Sequence, residues 1–186
     1  MNAKKDWVAI VTLLTCGLSG CQSSAPAGTA LPEKSVKIEG AKIPADKQGL
    51  IMRVLGLNEQ DVIKGLGVFA GLSNGRYPSS LDAKTTIAEA NALLRAKYGE
   101  ALTNQEKKES DQNAYDIFFA VAYYDKLARE KKNVAYYGDK VTVEDSDAVL
   151  VRWKEYKGKY RVILGDLRIE SVTAEKLGEL EKGLVE

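Results

Sequence analysis

Four sets of residues in this chain have types and spacings that could do chemistry. Gly65-Leu-Gly67-Val-Phe-Ala-Gly71 has the outline of a glycine loop that cradles phosphate. Glu144-Asp145-Ser146-Asp147 gathers the hard oxygens that a divalent cation takes. Tyr136, Tyr137, Trp153, Tyr156 and Tyr160 lie close together in sequence and could stack on a sugar or hold a peptide. Cys16 and Cys21 are the two cysteines, and the thiol is a nucleophile.

Each set has a plainer use. The glycine spacing is one residue too long for the dinucleotide pattern and falls in a helical run, not after a strand. Close packing of Gly67 and Gly71 against a neighbouring helix is therefore expected. The acidic run lacks the glycine and distal glutamate of an EF-hand loop, so a solvated turn is expected there. Asp145 and Asp147 are the metal candidates if that expectation fails. For the five aromatics the plain use is cross-strand packing with hydroxyls at the rim, and it is the expected one.

The chain contains no histidine. That excludes Ser-His-Asp and Cys-His catalysis, histidine-ligated zinc or haem, and an imidazole general base. Carboxylate, lysine, tyrosine and hydroxyl chemistry remain, and no cofactor is expected. A length of 186 residues suits one ordinary domain. With 27 Lys and Arg against 26 Asp and Glu, no net charge draws the chain to nucleic acid.

The N-terminal residues speak to location. Lys4 and Lys5 precede an apolar run from Trp7 to Leu18, 12 residues long. That is too short for a helix across a bilayer core of about 30 Å, and has the length of a signal-peptide core. Leu18-Ser19-Gly20-Cys21 follows and resembles the lipobox of bacterial lipoproteins. The resemblance implies cleavage before Cys21, diacylglycerol on its thiol, and a membrane anchor of two or three acyl chains. At about 0.8 kcal/mol per buried methylene, several chains hold a protein stably where one does not. Gln22 in place of Asp resembles the pattern of lipoproteins exported to the outer membrane, facing the periplasm. Cys16 would leave with residues 1–20, so neither cysteine would serve redox chemistry.

The elements that would position the rest follow from periodicity. Residues 21–46, rich in Ser, Ala, Gly and Pro, read as the lipidated cysteine and a flexible tether. Residues 47–186 read as one α+β domain. Leu50, Ile51, Val54 and Leu55 recur at helical spacing up to Gly56. Asn58 caps a second helix with Val62, Leu66 and Phe69 on one stripe, stopping at Leu72-Ser73-Asn74-Gly75. A third helix is expected near 83–98. Thr103 and Glu106 form a capping box for a fourth near 104–131, with Tyr115, Phe118, Phe119, Ala122 and Tyr123 buried and a lysine-rich end suited to the helix dipole. The period then becomes two. Strands are expected at Val134–Tyr137, Val141–Val143, within Ala148–Tyr156 with Val149, Val151 and Trp153 on one face, at Tyr160–Leu164 and at Leu167–Val172. Lys157-Gly158 is a hairpin turn, and Thr173 caps a terminal helix carrying Leu177, Leu180 and Leu184. A helical half followed by a small antiparallel meander and a short C-terminal helix is an α+β fold.

Residues 115–180 carry a second resemblance. Tyr136-Tyr137-Gly138, Asp145-Ser-Asp147, Lys159-Tyr-Arg-Val-Ile-Leu-Gly-Asp-Leu167 and Val172-Thr-Ala-Glu-Lys-Leu177 are similar to stretches of an uncharacterised group of exported proteins of planctomycete-type bacteria. These in turn resemble pseudopilin-like heads, as does Asn74-Gly-Arg-Tyr-Pro78 after a helix. Where a pseudopilin opens with a peptidase site and a long fibre-forming helix, this chain has the lipobox and tether. The resemblance implies a fold and carries no catalytic residues.

The expected function is that of a lipid-anchored envelope protein, a non-enzymatic module binding an envelope protein or polymer. A carboxylate-dependent hydrolase acting on an envelope polymer is the rival. A structural spacer or assembly component related to pseudopilin-like heads is the third reading.

Overall fold

Asn58 begins the first complete helix by accepting from the Gln60 N–H at 2.9 Å, while Asp61 accepts from the Asn58 N–H at 2.8 Å. This reciprocal cap satisfies two amides that a helix start leaves open. The computed structural model describes residues 53–184. The lipobox, Cys21, the tether and the helical run at 47–52 lie outside the described residues; residues 53–55 are helical and reach a turn at Gly56.

Helix α1 runs Glu59–Leu72 and buries Val62, Leu66 and Phe69 as one stripe. It stops where Asn74 and Gly75 take φ of 56° and 84° and the Gly75 N–H donates back to the Ala70 carbonyl at 2.8 Å. Asp82 caps α2, Ala83–Tyr98, and Gly99 at φ 71° ends it. The Thr103–Glu106 capping box opens α3, Asn104–Arg129.

The buried face of α3 differs from the expectation. Phe118 and Phe119 are buried, but Tyr115, Ala122 and Tyr123 are only half-buried, and Ala114, Asp116, Ile117, Ala120, Val121 and Leu127 are buried as well. The reason is that α3 is covered from more than one side, by α1, by α2 and by the sheet. Asp116 is tolerated there because Lys64 reaches it at 3.0 Å and Gln112 donates to it at 2.9 Å.

The expected packing of Gly67 and Gly71 is also corrected. Gly71 has open space around its Cα, and Gly67 would bring a Cβ only to 3.3 Å from Leu167. Gly65 is the close approach. A Cβ there would sit 2.4 Å from the Asp116 carbonyl oxygen and 2.6 Å from the Ala120 Cβ.

Four antiparallel strands follow in the order β1-β2-β3-β4: Ala135–Tyr136, Val149–Lys154, Tyr160–Leu164 and Ile169–Val172. The α+β meander is as expected, with two corrections. Val141–Val143 is not a strand. The Lys140 and Val141 amides both donate to the Tyr137 carbonyl in a turn, and Thr142 makes one isolated bridge to Arg76. Val149 does not share a face with Val151 and Trp153. Leu150 is an extra residue between the pairs Val149–Leu164 and Val151–Ile163, and this bulge turns Val149 to the opposite side.

The sheet is thus buried on both faces. Leu150, Val151, Trp153 and Ile163 pack with Val62, Leu66, Val121 and Leu127 of α1 and α3. Val149, Val162, Leu164 and Val172 pack with Leu177 of α4, Ala174–Leu180, which Thr173 caps. Lys157 and Gly158, at φ 58° and 76°, supply the two left-handed residues of the tight β2–β3 turn.

Two stability measurements test this account. Gly65→Ala should cost about 2–4 kcal/mol, since the methyl group meets backbone that cannot move alone, while Gly71→Ala should be neutral or stabilising by up to about 1 kcal/mol; urea midpoints of the two variants decide. The second concerns the Asp82 cap. The Thr85 N–H, at 2.9 Å, is the main cause holding the Asp82 carboxyl down to about 2. A depressed folded-state value contributes stability above the ordinary carboxylate range, and that stability is lost as pH falls towards 2. Asp82→Ala should therefore cost about 1 kcal/mol at neutral pH, and the gap to the parent protein should close between about pH 4 and pH 2.

Candidate functional site

Of the five aromatics singled out from the sequence, four are held by the fold. The Tyr136 hydroxyl donates to the Pro78 carbonyl at 2.7 Å, and its ring meets Tyr124 edge-on at 6.3 Å. Burial, with smaller contributions from nearby acidic groups, pushes that hydroxyl far above the usual tyrosine range. The Tyr137 hydroxyl donates to Glu181 at 2.6 Å, and Arg152 donates to the same carboxylate oxygen at 2.9 Å. This triad fastens the segment after α4 to the sheet. Trp153 is 5% exposed and meets Tyr123 edge-on, while Tyr160 lies under the Arg152 guanidinium at 5.7 Å. These rings do not line up as one strip.

Tyr156 differs. It sits at the β2–β3 turn, is 85% exposed, and carries only the Lys132 ammonium 5.7 Å above its ring. Beside it an open groove of about 370 Å³ runs between the end of α3 and the hairpin. Tyr123, Leu127 and Trp153 contribute to its lining, with Lys132, Glu130 and Glu155 among the charged groups. The two glutamates are exposed, so both carboxylates stand in water.

The acidic turn spends its oxygens locally. Asp145 accepts from the Thr142 N–H and hydroxyl, each at 2.8 Å, which holds its carboxyl below the usual range. Asp147 pairs with Arg168 at 2.9 Å, and the same guanidinium reaches Asp166. Among the described residues no three acidic side chains converge as metal ligands. Beneath this turn the Tyr77 hydroxyl donates to the Gly165 carbonyl at 2.6 Å, and burial, then Asp166, raises its pKa to about 12.

Two features went unread in the sequence. Asp116 is a buried carboxylate in a helix whose neighbours are polar and apolar alike, and nothing in its spacing marks it. The second is the meeting of two basic segments. The Lys154 N–H donates to the Lys132 carbonyl at 2.6 Å, so the lysine-rich end of α3 lies against the end of β2. The lysines themselves were visible in the sequence; their proximity was not.

Substitution separates the held aromatics from the free one. Trp153→Ala should cost about 3–5 kcal/mol by emptying a core position. Tyr156→Ala should change stability by no more than about 0.5 kcal/mol. Chemical denaturation of both variants checks the contrast. No protein-family model matches this chain, and neither does any curated protein or solved structure with which it was compared.

Proposed function

We propose that this chain is a lipid-anchored envelope protein whose folded domain works by contact and not by catalysis. The anchor half of the reading is supported by Leu18-Ser19-Gly20-Cys21 directly after a 12-residue apolar run. Among the described residues no helix is long and apolar enough to cross a membrane.

The state of the acidic groups carries the second half. Asp82, Glu106, Asp145 and Glu175 are all displaced downward in pKa, chiefly by hydrogen bonds from backbone N–H groups and threonine hydroxyls at caps and turns. They are ionised structural acceptors. A glycosidase-type acid needs the reverse, a carboxyl enclosed by apolar groups so that it keeps its proton near neutrality. The hydrolase reading has one observation in its favour, which is that Glu130 and Glu155 line the same groove. Their exposure leaves neither one the apolar enclosure of a general acid.

Membrane fractionation of cells producing the full chain tests the anchor. The parent protein should stay with membranes through a high-salt wash and enter the detergent phase on phase separation, and Cys21→Ser should be released to the soluble fraction. Retention of Cys21→Ser after the wash overturns the anchor. Release of soluble fragments from purified envelope polymer by the parent chain, abolished in Glu155→Gln, overturns the contact reading.

A further inference from the structure

The near-neutral total charge conceals an uneven distribution. Residues 125–132 and 154–159 carry seven Lys and Arg against three carboxylates. The Lys154 to Lys132 hydrogen bond brings these two segments to one end of the domain. Of the three carboxylates, Asp125 is taken by Arg129, and Glu155 accepts from the Ser171 hydroxyl at 3.0 Å. Lys154, Lys157 and Lys159 are exposed around the turn. The far end of β2 is the opposite case. There residues 139–147 carry four carboxylates, Asp139, Glu144, Asp145 and Asp147, against Lys140 alone, and at about 3.3 Å per residue the six-residue strand sets the two ends roughly 20 Å apart.

The most exposed aromatic ring falls at the basic end too. Among the described residues Tyr156 is 85% and Leu55 71% exposed, whereas the other exposed large apolar residues, Leu102 and Val143, are each 38%. Leu55 lies four residues before Glu59, and Glu59 bonds Arg161 at 2.7 Å, which is paired with Trp153 in the same hairpin. Residue 53 itself lies further back along α3: the Arg53 guanidinium pairs with Asp61 and sits 5.1 Å above the ring of Phe119, ten residues of helix before Arg129.

We infer that the end of the domain formed by the β2–β3 turn and the last turn of α3 is a membrane-contact surface that settles on anionic lipid headgroups. The inference rests on the anchor reading: acyl chains on Cys21 would keep the domain near a bilayer and raise its effective concentration there. The lysines supply the charge complement, Tyr156 is an amphipathic ring of the kind enriched at membrane interfaces, and the acidic loops lie at the far end of β2. Each basic side chain close to an anionic leaflet strengthens partitioning about fivefold, so the contact should weaken steeply with salt.

The test uses the full chain purified from membranes and reconstituted in vesicles, with a fluorescent thiol label at Ala128→Cys in the basic end or at Glu144→Cys in the acidic end. Nitroxide-headgroup lipid is the quencher, in vesicles of phosphatidylcholine with or without about a third phosphatidylglycerol. The label at 128 should be quenched several-fold more than the label at 144 on anionic vesicles. The contrast should vanish on neutral vesicles, at about 0.5 M salt, and in a Lys154→Gln, Lys157→Gln, Lys159→Gln variant. Equal quenching at the two positions, or a contrast that persists on neutral vesicles, overturns the inference. So does displacement from the vesicles by a soluble anionic polysaccharide at equal charge concentration, which would make a polymer the occupant. The mass of the peptide containing Cys21 reads the anchor separately. If it carries no acyl chain, the anchor reading fails alone, and the same quenching contrast is measured with vesicles added to a Cys16→Ser, Cys21→Ser background.

Discussion

At Gly65 the backbone of α1 comes so near α3 that an added methyl group would meet the Asp116 carbonyl oxygen at 2.4 Å. Only the smallest residue permits that approach, and the rest of the domain is spaced from it. With the two helices this close, Val62 and Leu66 of α1 and Val121 and Leu127 of α3 present one continuous surface to the sheet. The sheet in turn needs a second cover, because β2 and β3 are apolar on both sides. The short α4 supplies it through Leu177, and the Arg152–Glu181–Tyr137 triad holds that cover in place. A half-buried ion pair is weak as a source of stability, but this one ties two elements together in a single geometry.

This layered arrangement explains why most of the aromatic residues are unavailable to a ligand. Tyr136 and Trp153 lie inside, and Tyr137 and Tyr160 are engaged by the triad and by Arg152. What the fold leaves outside is the tip of the hairpin. Lys154 is the last residue of β2 to pair, with Tyr160, so residues 155–159 form a loop beyond the packed sheet, where Tyr156 stands in solvent and the lysines around it stay hydrated. The opposite end is just as plainly polar, but there the carboxylates are consumed in capping Thr142 and pairing Arg168. The hairpin tip thus keeps Lys154, Lys157 and Lys159 exposed, while the opposite end spends much of its charge internally.

Much of the helical half was legible in the sequence, because its signals are local. Asn58, Asp82, Thr103 and Thr173 each cap a helix through an amide no more than three residues away, and Asn74-Gly75 and Gly99 end helices by their own backbone preference. The meander was legible for the same reason, since alternation and the Lys157-Gly158 turn need no distant partner. The errors all concern contacts between segments far apart in the chain. Which glycine of Gly65, Gly67 and Gly71 touches α3 depends on the helix crossing. That Leu150 is squeezed out of the β2 register depends on what β3 offers opposite it. Val141–Val143 has the composition of a strand, yet it meets only the Gly75-Arg76 turn, in a single bridge, and is held as a turn clamped by Asp145.

The sequence by itself determined the order of the described helices and where they begin, the α+β class, and the chemistry that a chain without histidine cannot perform. It also carried the whole case for an acyl anchor at Cys21, a property of a short linear motif that needs no fold to be read. Only the tertiary structure decided which side chains are free. Lysines in two segments more than twenty residues apart became one basic surface because β2 runs back beside the end of α3. Tyr156 became the exposed aromatic because it alone of the five falls on the turn. Exposure and proximity are set by what packs against a residue, and for these positions the packing partners come from elsewhere in the chain.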